Sequence, residues 1–132
     1  MYHVRYLAKV NVDHKIICYF HHSVISSVLC YAISCWFNAC SVKDKLSIEM
    51  FRKRVLKLTN PNCENIILNV HDVHNNQCLS LLRRILSDNV HPLYNCFKML
   101  RNTGRMNVIY CRTNRAKTTF VHTAISIFNK TK

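Results

Sequence analysis

The residues of this chain best suited to chemistry are basic side chains near its C-terminal end. In the stretch CRTNRAK, residues 111–117, one cysteine, two arginines and one lysine occupy seven positions. Guanidinium and ammonium groups bind phosphate oxygens, and aromatic rings such as Phe97, Tyr110 and Phe120 can stack on unpaired bases. The pattern is typical either of a surface for RNA or DNA backbone, or of a solvated basic surface whose aromatic rings lie in the core.

Ten basic residues form the predicted nucleic-acid-binding set. The main group is Arg101, Arg105, Arg112, Arg115 and Lys117, and the second group is Lys53, Arg54, Lys57, Arg83 and Arg84. The whole chain has a net charge of +13, and from Asn89 onward it has eight Lys and Arg and no acid. Such an excess favours a polyanionic partner, RNA or DNA backbone, whose binding weakens as salt rises.

A metal site is the other candidate that spacing suggests. His71, His74 and Cys78 would share one face of a helix, and Cys63 precedes that helix. Two thiolates and two imidazoles are an acceptable ligand set for zinc. The spacing matches no established zinc finger, however, and lone His and Cys residues on helices are more often structural. We therefore expect no bound metal and no other cofactor.

Catalytic machinery is not expected in this chain. Its six acids are scattered singly, whereas two-metal phosphoryl transfer needs clustered carboxylates. Its single glycine, Gly104, excludes glycine-rich nucleotide loops. No acid has a histidine two positions before it, so the common opening of a non-haem iron site is absent from the sequence. Cys111 lies beside Arg112, but no third group is evident that would orient it as a nucleophile.

The elements that must position these residues are predicted to be helices, because the chain has one glycine and two prolines. We expect a mainly α fold, a small bundle of three to four helices. Asp13 is a suitable N-cap for a first helix over about residues 14–37. The apolar positions expected on one face of that helix are Ile17, Phe20, Val24, Val28, Tyr31 and Cys35.

Three further helices complete the predicted bundle. Ser41 should cap the second helix, which Asn60-Pro61-Asn62 should end, with an apolar seam of Ile48, Phe51, Val55 and Leu58. The third helix should start near Glu64 or Val70 and end at Leu86. Its packing positions are Leu79, Leu82, Ile85 and Leu86, and a turn should follow it over residues 88–92. Residues 93–117 should be irregular and basic, with a candidate short strand at 108–110. The last helix should follow Thr118 or Thr119, with Val121, Ile125 and Phe128 on one face. Residues 1–88 and 89–132 are expected to form a helical region and a basic tail.

The composition also bears on localisation. Residues 23–42 carry no charge, but they include five serines and an asparagine, each costly in hydrocarbon, so no membrane association is expected. The N-terminal residues are polar and charged, unlike a secretory signal. The eight cysteines are therefore expected to be reduced, in the nucleus or the cytoplasm.

The stretches SVISSVLCYAISCWF, ILSDNVHPLY and CRTNRAK occur in an order that resembles the C-terminal region of reverse transcriptases from animal non-LTR (LINE-type) retrotransposons. The resemblance covers about residues 6–129 and implies a thumb-like helical region and a nucleic-acid-binding tail. The parent activity is that of an RNA-directed DNA polymerase, whose catalytic aspartates and endonuclease the resemblance would place before Met1. The polymerase core is then an expected partner. His122 departs from the family, which often has proline there.

The first third of the chain supports an alternative. VDHKIICYFHHSVISSVLCYAISCWF is also similar to the N-terminal helical module of AlkB homologue eight. The parent activities of that family are tRNA methyltransferase and 2-oxoglutarate-dependent dioxygenase. Neither is expected here, because the cofactor glycines and the iron ligands are missing from the sequence. This resemblance implies a helical interaction module instead.

Overall fold

The protein is mainly helical, as the sequence predicts, in a computed structural model that describes residues 2–59 and 67–131. In chain order the α-helices are α1 (Tyr2–Lys9), α2 (His14–Phe20), α3 (Ser27–Cys30), α4 (Ile33–Trp36), α5 (Val42–Leu58), α6 (Val70–Ser87), α7 (Asn114–Lys117) and α8 (Phe120–Lys130). A π-helix (His21–Ser26) joins α2 to α3, and short 3₁₀ turns occupy Phe37–Ala39 and Tyr94–Cys96. The predicted first helix is therefore divided into several segments.

The chain forms two compact units. The first contains the described residues of 1–33 and 40–73, and the second contains those of 34–39 and 74–131. The first turn of α6 belongs to the first unit, and the rest of that helix belongs to the second. The predicted division into 1–88 and 89–132 stays a prediction.

The core of the first unit joins α1, α2 and α5. Val4, Ile17, Cys18, Val55 and Ile67 are buried together. The sequence did not predict α1, because a segment of eight residues is too short to be helical alone. The burial of Val4 in this cluster stabilises the helix. Asp13 caps α2 as predicted, since its side chain accepts a hydrogen bond from the backbone amide of Lys15 at 3.0 Å.

The predicted apolar face of the first helix is wrong beyond Phe20. Val24, Val28, Tyr31 and Cys35 are exposed, Val28 to 73%. A π-helix bonds i to i+5 and holds more residues per turn than an α-helix, so the following side chains rotate around the axis. The inward positions move by one residue, to Ile25, which packs on the core, and to Leu29, which lines a cavity. The helical run then breaks after Cys30, and Ala32 has a left-handed φ of 45°.

Helix α5 confirms the predicted cap and seam. The Ser41 hydroxyl accepts from the amide of Asp44 at 3.2 Å, while the Asp44 carboxylate accepts from the amide of Ser41 at 3.3 Å. This reciprocal pair satisfies backbone donors that no helical carbonyl can reach. Val55 is buried, and the other seam residues are half-buried. The predicted stop at Asn60-Pro61-Asn62 lies outside the described residues.

The core of the second unit lies between α6 and α8. Leu82, Ile85, Ala124 and Ile125 are buried there together with Phe97 and Met106. The predicted packing residues of both helices lie in or against this cluster, and the predicted turn after α6 is present. Helix α6 begins at Val70, the later of the two predicted starts.

No described helix is, by itself, long and apolar enough to cross a bilayer. The segments His14–Cys30 and Ile33–Ala39 reach that length and hydropathy only when taken together across the bend that separates them.

Candidate nucleic-acid interface

The basic region of the second unit begins with a tight turn. The amide of Leu100 donates to the carbonyl of Arg105, and the amide of Asn107 donates to the carbonyl of Lys98, both at 2.8 Å. Met99 and Met106 pair there as an antiparallel bridge. Gly104 has a φ of +61°, the left-handed region that glycine enters without strain. The turn holds Arg101 and Arg105 in solvent.

The side chain of Asn129 fastens this turn to α8. Its Oδ1 accepts from the amide of Met106 at 2.8 Å, and its Nδ2 donates to the carbonyl of Met106 at 2.9 Å. Met106 is buried among the α6 and α8 residues, so the turn is held by both a hydrophobic anchor and two hydrogen bonds. Sequence reasoning missed Asn129, because a contact across 23 positions leaves no local signal.

The candidate strand at 108–110 is not formed. Val108, Ile109 and Tyr110 are exposed and lie outside any strand or bridge of the described residues. The chain then enters α7, where the Thr113 hydroxyl accepts from the amide of Ala116 at 3.2 Å. This cap sets a single helical turn whose Arg115 and Lys117 side chains are exposed, next to the exposed Arg112.

All ten predicted phosphate-binding residues are exposed. The second unit carries Arg83, Arg84, Arg101, Arg105, Arg112, Arg115 and Lys117, and the first unit carries Lys53, Arg54 and Lys57. Arg52, next to the latter group, instead binds the carboxylate of Glu49 at 3.0 Å. That hydrogen-bonded guanidinium lowers the pKa of Glu49.

The aromatic residues of the basic region divide between core and surface. Phe97 is buried, and its ring meets that of Phe120 edge to face, with centroids 6.3 Å apart. Tyr110 is 90% exposed. The core interpretation therefore holds for the two phenylalanines, while Tyr110 is accessible to a base.

Three of the four residues of the candidate zinc site are among the described residues. Cys63 lies outside the described residues, and His71 is exposed. His74 and Cys78 are buried, with Nε2 and Sγ 3.4 Å apart, and the His74 ring packs on Phe37. Burial, with a smaller effect from Cys35, raises the pKa of Cys78 to about 11. Within the described residues no three metal-binding side chains converge.

A buried histidine in the first unit is a second feature that the sequence did not indicate. His21 is only 3% exposed and starts the π-helix. Its Nδ1 lies 3.3 Å from the Ser26 hydroxyl, its ring stacks on Phe51, and its Nε2 has no hydrogen-bond partner among the described residues. It lines a cavity of about 10 Å³, which is close to the volume one water needs.

His21 should make the first unit sensitive to acid. Burial, and secondarily the charge of His22, lowers the pKa of His21 below 6.5. The unfolded chain therefore binds more protons between the folded-state pKa and 6.5, and stability falls as pH falls through that window. Urea unfolding followed from neutral pH to about pH 5 should show this loss.

The control is His14→Gln, an exposed histidine of the same helical run. His21→Gln should flatten the pH dependence, whereas His14→Gln should leave it unchanged. Equal pH dependence in the wild type and in His21→Gln would refute the assignment to His21.

Comparisons of this chain with protein-family models, with curated proteins and with solved structures found no match. The chain carries a net charge of +13, and its described residues form a mainly helical fold with exposed cations in both units.

Proposed function

We propose that this chain is a non-catalytic helical module that binds the phosphate backbone of RNA or DNA. In this proposal it corresponds to the region that follows the polymerase core in LINE-type reverse transcriptases. The main contacts come from Arg101, Arg105, Arg112, Arg115 and Lys117, and the further contacts from Lys53, Arg54, Lys57, Arg83 and Arg84.

One observation carries the proposal. Five cations between residues 101 and 117 are all exposed, and no acid occurs in the sequence from Asn89 onward. Like charges gathered in this way repel one another unless an anion neutralises them. A phosphate backbone supplies closely spaced anions and releases counterions on binding.

The anchoring of the turn adds to this argument. The Asn129 side chain and the buried Met106 fasten the end of the turn next to Arg105, and the Leu100 amide closes the turn on the Arg105 carbonyl, before any ligand arrives. A prepositioned site loses less conformational entropy on binding than a disordered tail would. Binding should be independent of base sequence, because phosphate contacts carry no sequence information.

The experiment is a salt titration of the affinity of the full chain for an unstructured single-stranded RNA. Affinity should fall steeply as ionic strength rises, since each phosphate contact displaces bound cations. An affinity that does not respond to salt would remove the proposal. Extension of a primed template by the purified chain would contradict the statement that the chain is non-catalytic.

A second candidate function is that of an interaction module, as the similarity to the AlkB homologue eight N-terminal module implies. The specific observation in its favour is the exposure of Val24 and Val28 along the helical run after α2, and of Tyr31 directly after that run. An exposed apolar row of this kind is typical of a protein-binding surface. In that case another polypeptide is the partner, and binding to RNA should be weak at every salt concentration.

A further inference from the structure

Helix α1 presents two faces of opposite character. Val4 is fully buried, and Leu7 and Ala8 pack partly buried against the same core. At 100° per residue, Tyr2, Arg5, Tyr6 and Lys9 fall within an arc of about 100° on the other side. All four are exposed, and we call them the aromatic-basic face.

The two tyrosines of this face form a stacked pair. Their ring centroids are 6.3 Å apart and their planes differ by 17°. Tyr2 is 74% exposed and Tyr6 is 54% exposed, although tyrosine rings usually gain free energy from burial. Nearly parallel rings that remain in solvent present flat π-faces on which further planar groups can stack.

The charges on this face indicate which planar groups fit. Arg5 follows Tyr2 by three positions and Lys9 follows Tyr6 by three, so each ring has a cation beside it on the helix surface. Helix α1 contains no acid. Alternating rings and cations match a chain of alternating bases and phosphates, and the bases must be unpaired for their faces to be reached.

We propose that the aromatic-basic face of α1 binds single-stranded nucleic acid, with unpaired bases stacked on Tyr2 and Tyr6 and phosphates on Arg5 and Lys9. This inference rests on the proposed function and adds a preference to it. The cations between residues 101 and 117 bind single strands and duplexes alike, whereas the tyrosine pair favours single strands.

The test compares the binding of an unstructured single-stranded RNA with that of a duplex of the same sequence. The combined substitution Tyr2→Ala and Tyr6→Ala should weaken single-strand binding by at least about tenfold and leave duplex binding within about twofold. Tyr2→Phe with Tyr6→Phe should retain single-strand affinity, because the rings remain. The salt dependence should not change in either variant, since stacking releases no counterions.

Tyr19→Ala is the matched control, because it removes an exposed tyrosine that lies on α2, outside the aromatic-basic face. Unchanged single-strand affinity in the double alanine variant would overturn the inference while leaving the proposed function intact. Equal losses for single strand and duplex would also overturn it. So would a double alanine variant that bound anionic lipid vesicles less well than the wild type but kept its affinity for both nucleic acids. Absence of nucleic-acid binding by the wild type would overturn both proposals.

Discussion

Replacing Arg112, Arg115 and Lys117 together by glutamine is expected to weaken binding to single-stranded RNA by about 100-fold at ~0.1 M salt. Each phosphate contact to a single strand contributes about 0.7 to the slope of log affinity against log salt. Three contacts therefore contribute about 2, equivalent to two decades of affinity between 0.1 and 1 M salt. All three side chains are exposed, so the substitutions should leave the fold unchanged.

The matched control removes the same charge elsewhere. Lys15, Lys43 and Lys130 are also exposed and lie outside the predicted set. Their replacement by glutamine should weaken binding far less, because these three lysines do not belong to the surface that is proposed to contact phosphate. Equal losses from the two triple variants would mean that net charge alone drives binding, and would contradict the assigned surface.

Asn129→Ala is expected to lower the free energy of unfolding of the second unit by about 2–6 kcal/mol. The substitution leaves the amide and the carbonyl of Met106 without their partner, and a polar group left unsatisfied on a buried residue costs about 1–3 kcal/mol. Urea denaturation measures the loss, and faster hydrogen exchange at the Met106 amide locates it.

Two variants make this prediction specific. Asn129→Asp keeps the acceptor for the Met106 amide but sets a carboxylate oxygen against the Met106 carbonyl, which repels it, so this variant should also be destabilised. Asn107→Ala is the control, since it makes the same change at an exposed asparagine beside Met106. If Asn129→Ala were no more destabilising than Asn107→Ala, the Asn129 side chain would not fasten the turn.

The helices that the sequence predicts well are those whose ends depend on local chemistry. Asp13 and Ser41 cap α2 and α5 through hydrogen bonds to residues only two or three positions away. The packing residues of α6 and α8 follow an uninterrupted α-helical period and were predicted for the same reason. Signals of this kind involve only residues that are close together in the sequence, so the sequence alone is enough to predict them.

Features that depend on distant contacts were not predictable in this way. The π-helix at His21–Ser26 shifts the register of the helical run, and α1 forms against a core that α5 and Ile67 complete. The Asn129 contact spans 23 positions. For the candidate site, the ten cations can be named from the sequence, but their exposure and the contact of Asn129 with Met106 are properties of the three-dimensional structure.

The most direct measurement of the central claim is the slope of log affinity against log salt for the wild-type chain and a single-stranded RNA. Five phosphate contacts predict a slope of about −3.5, which is roughly a 100-fold loss of affinity between about 50 and 200 mM salt. Ten contacts would double the slope. A slope near zero, or binding confined to a protein partner, would contradict the account.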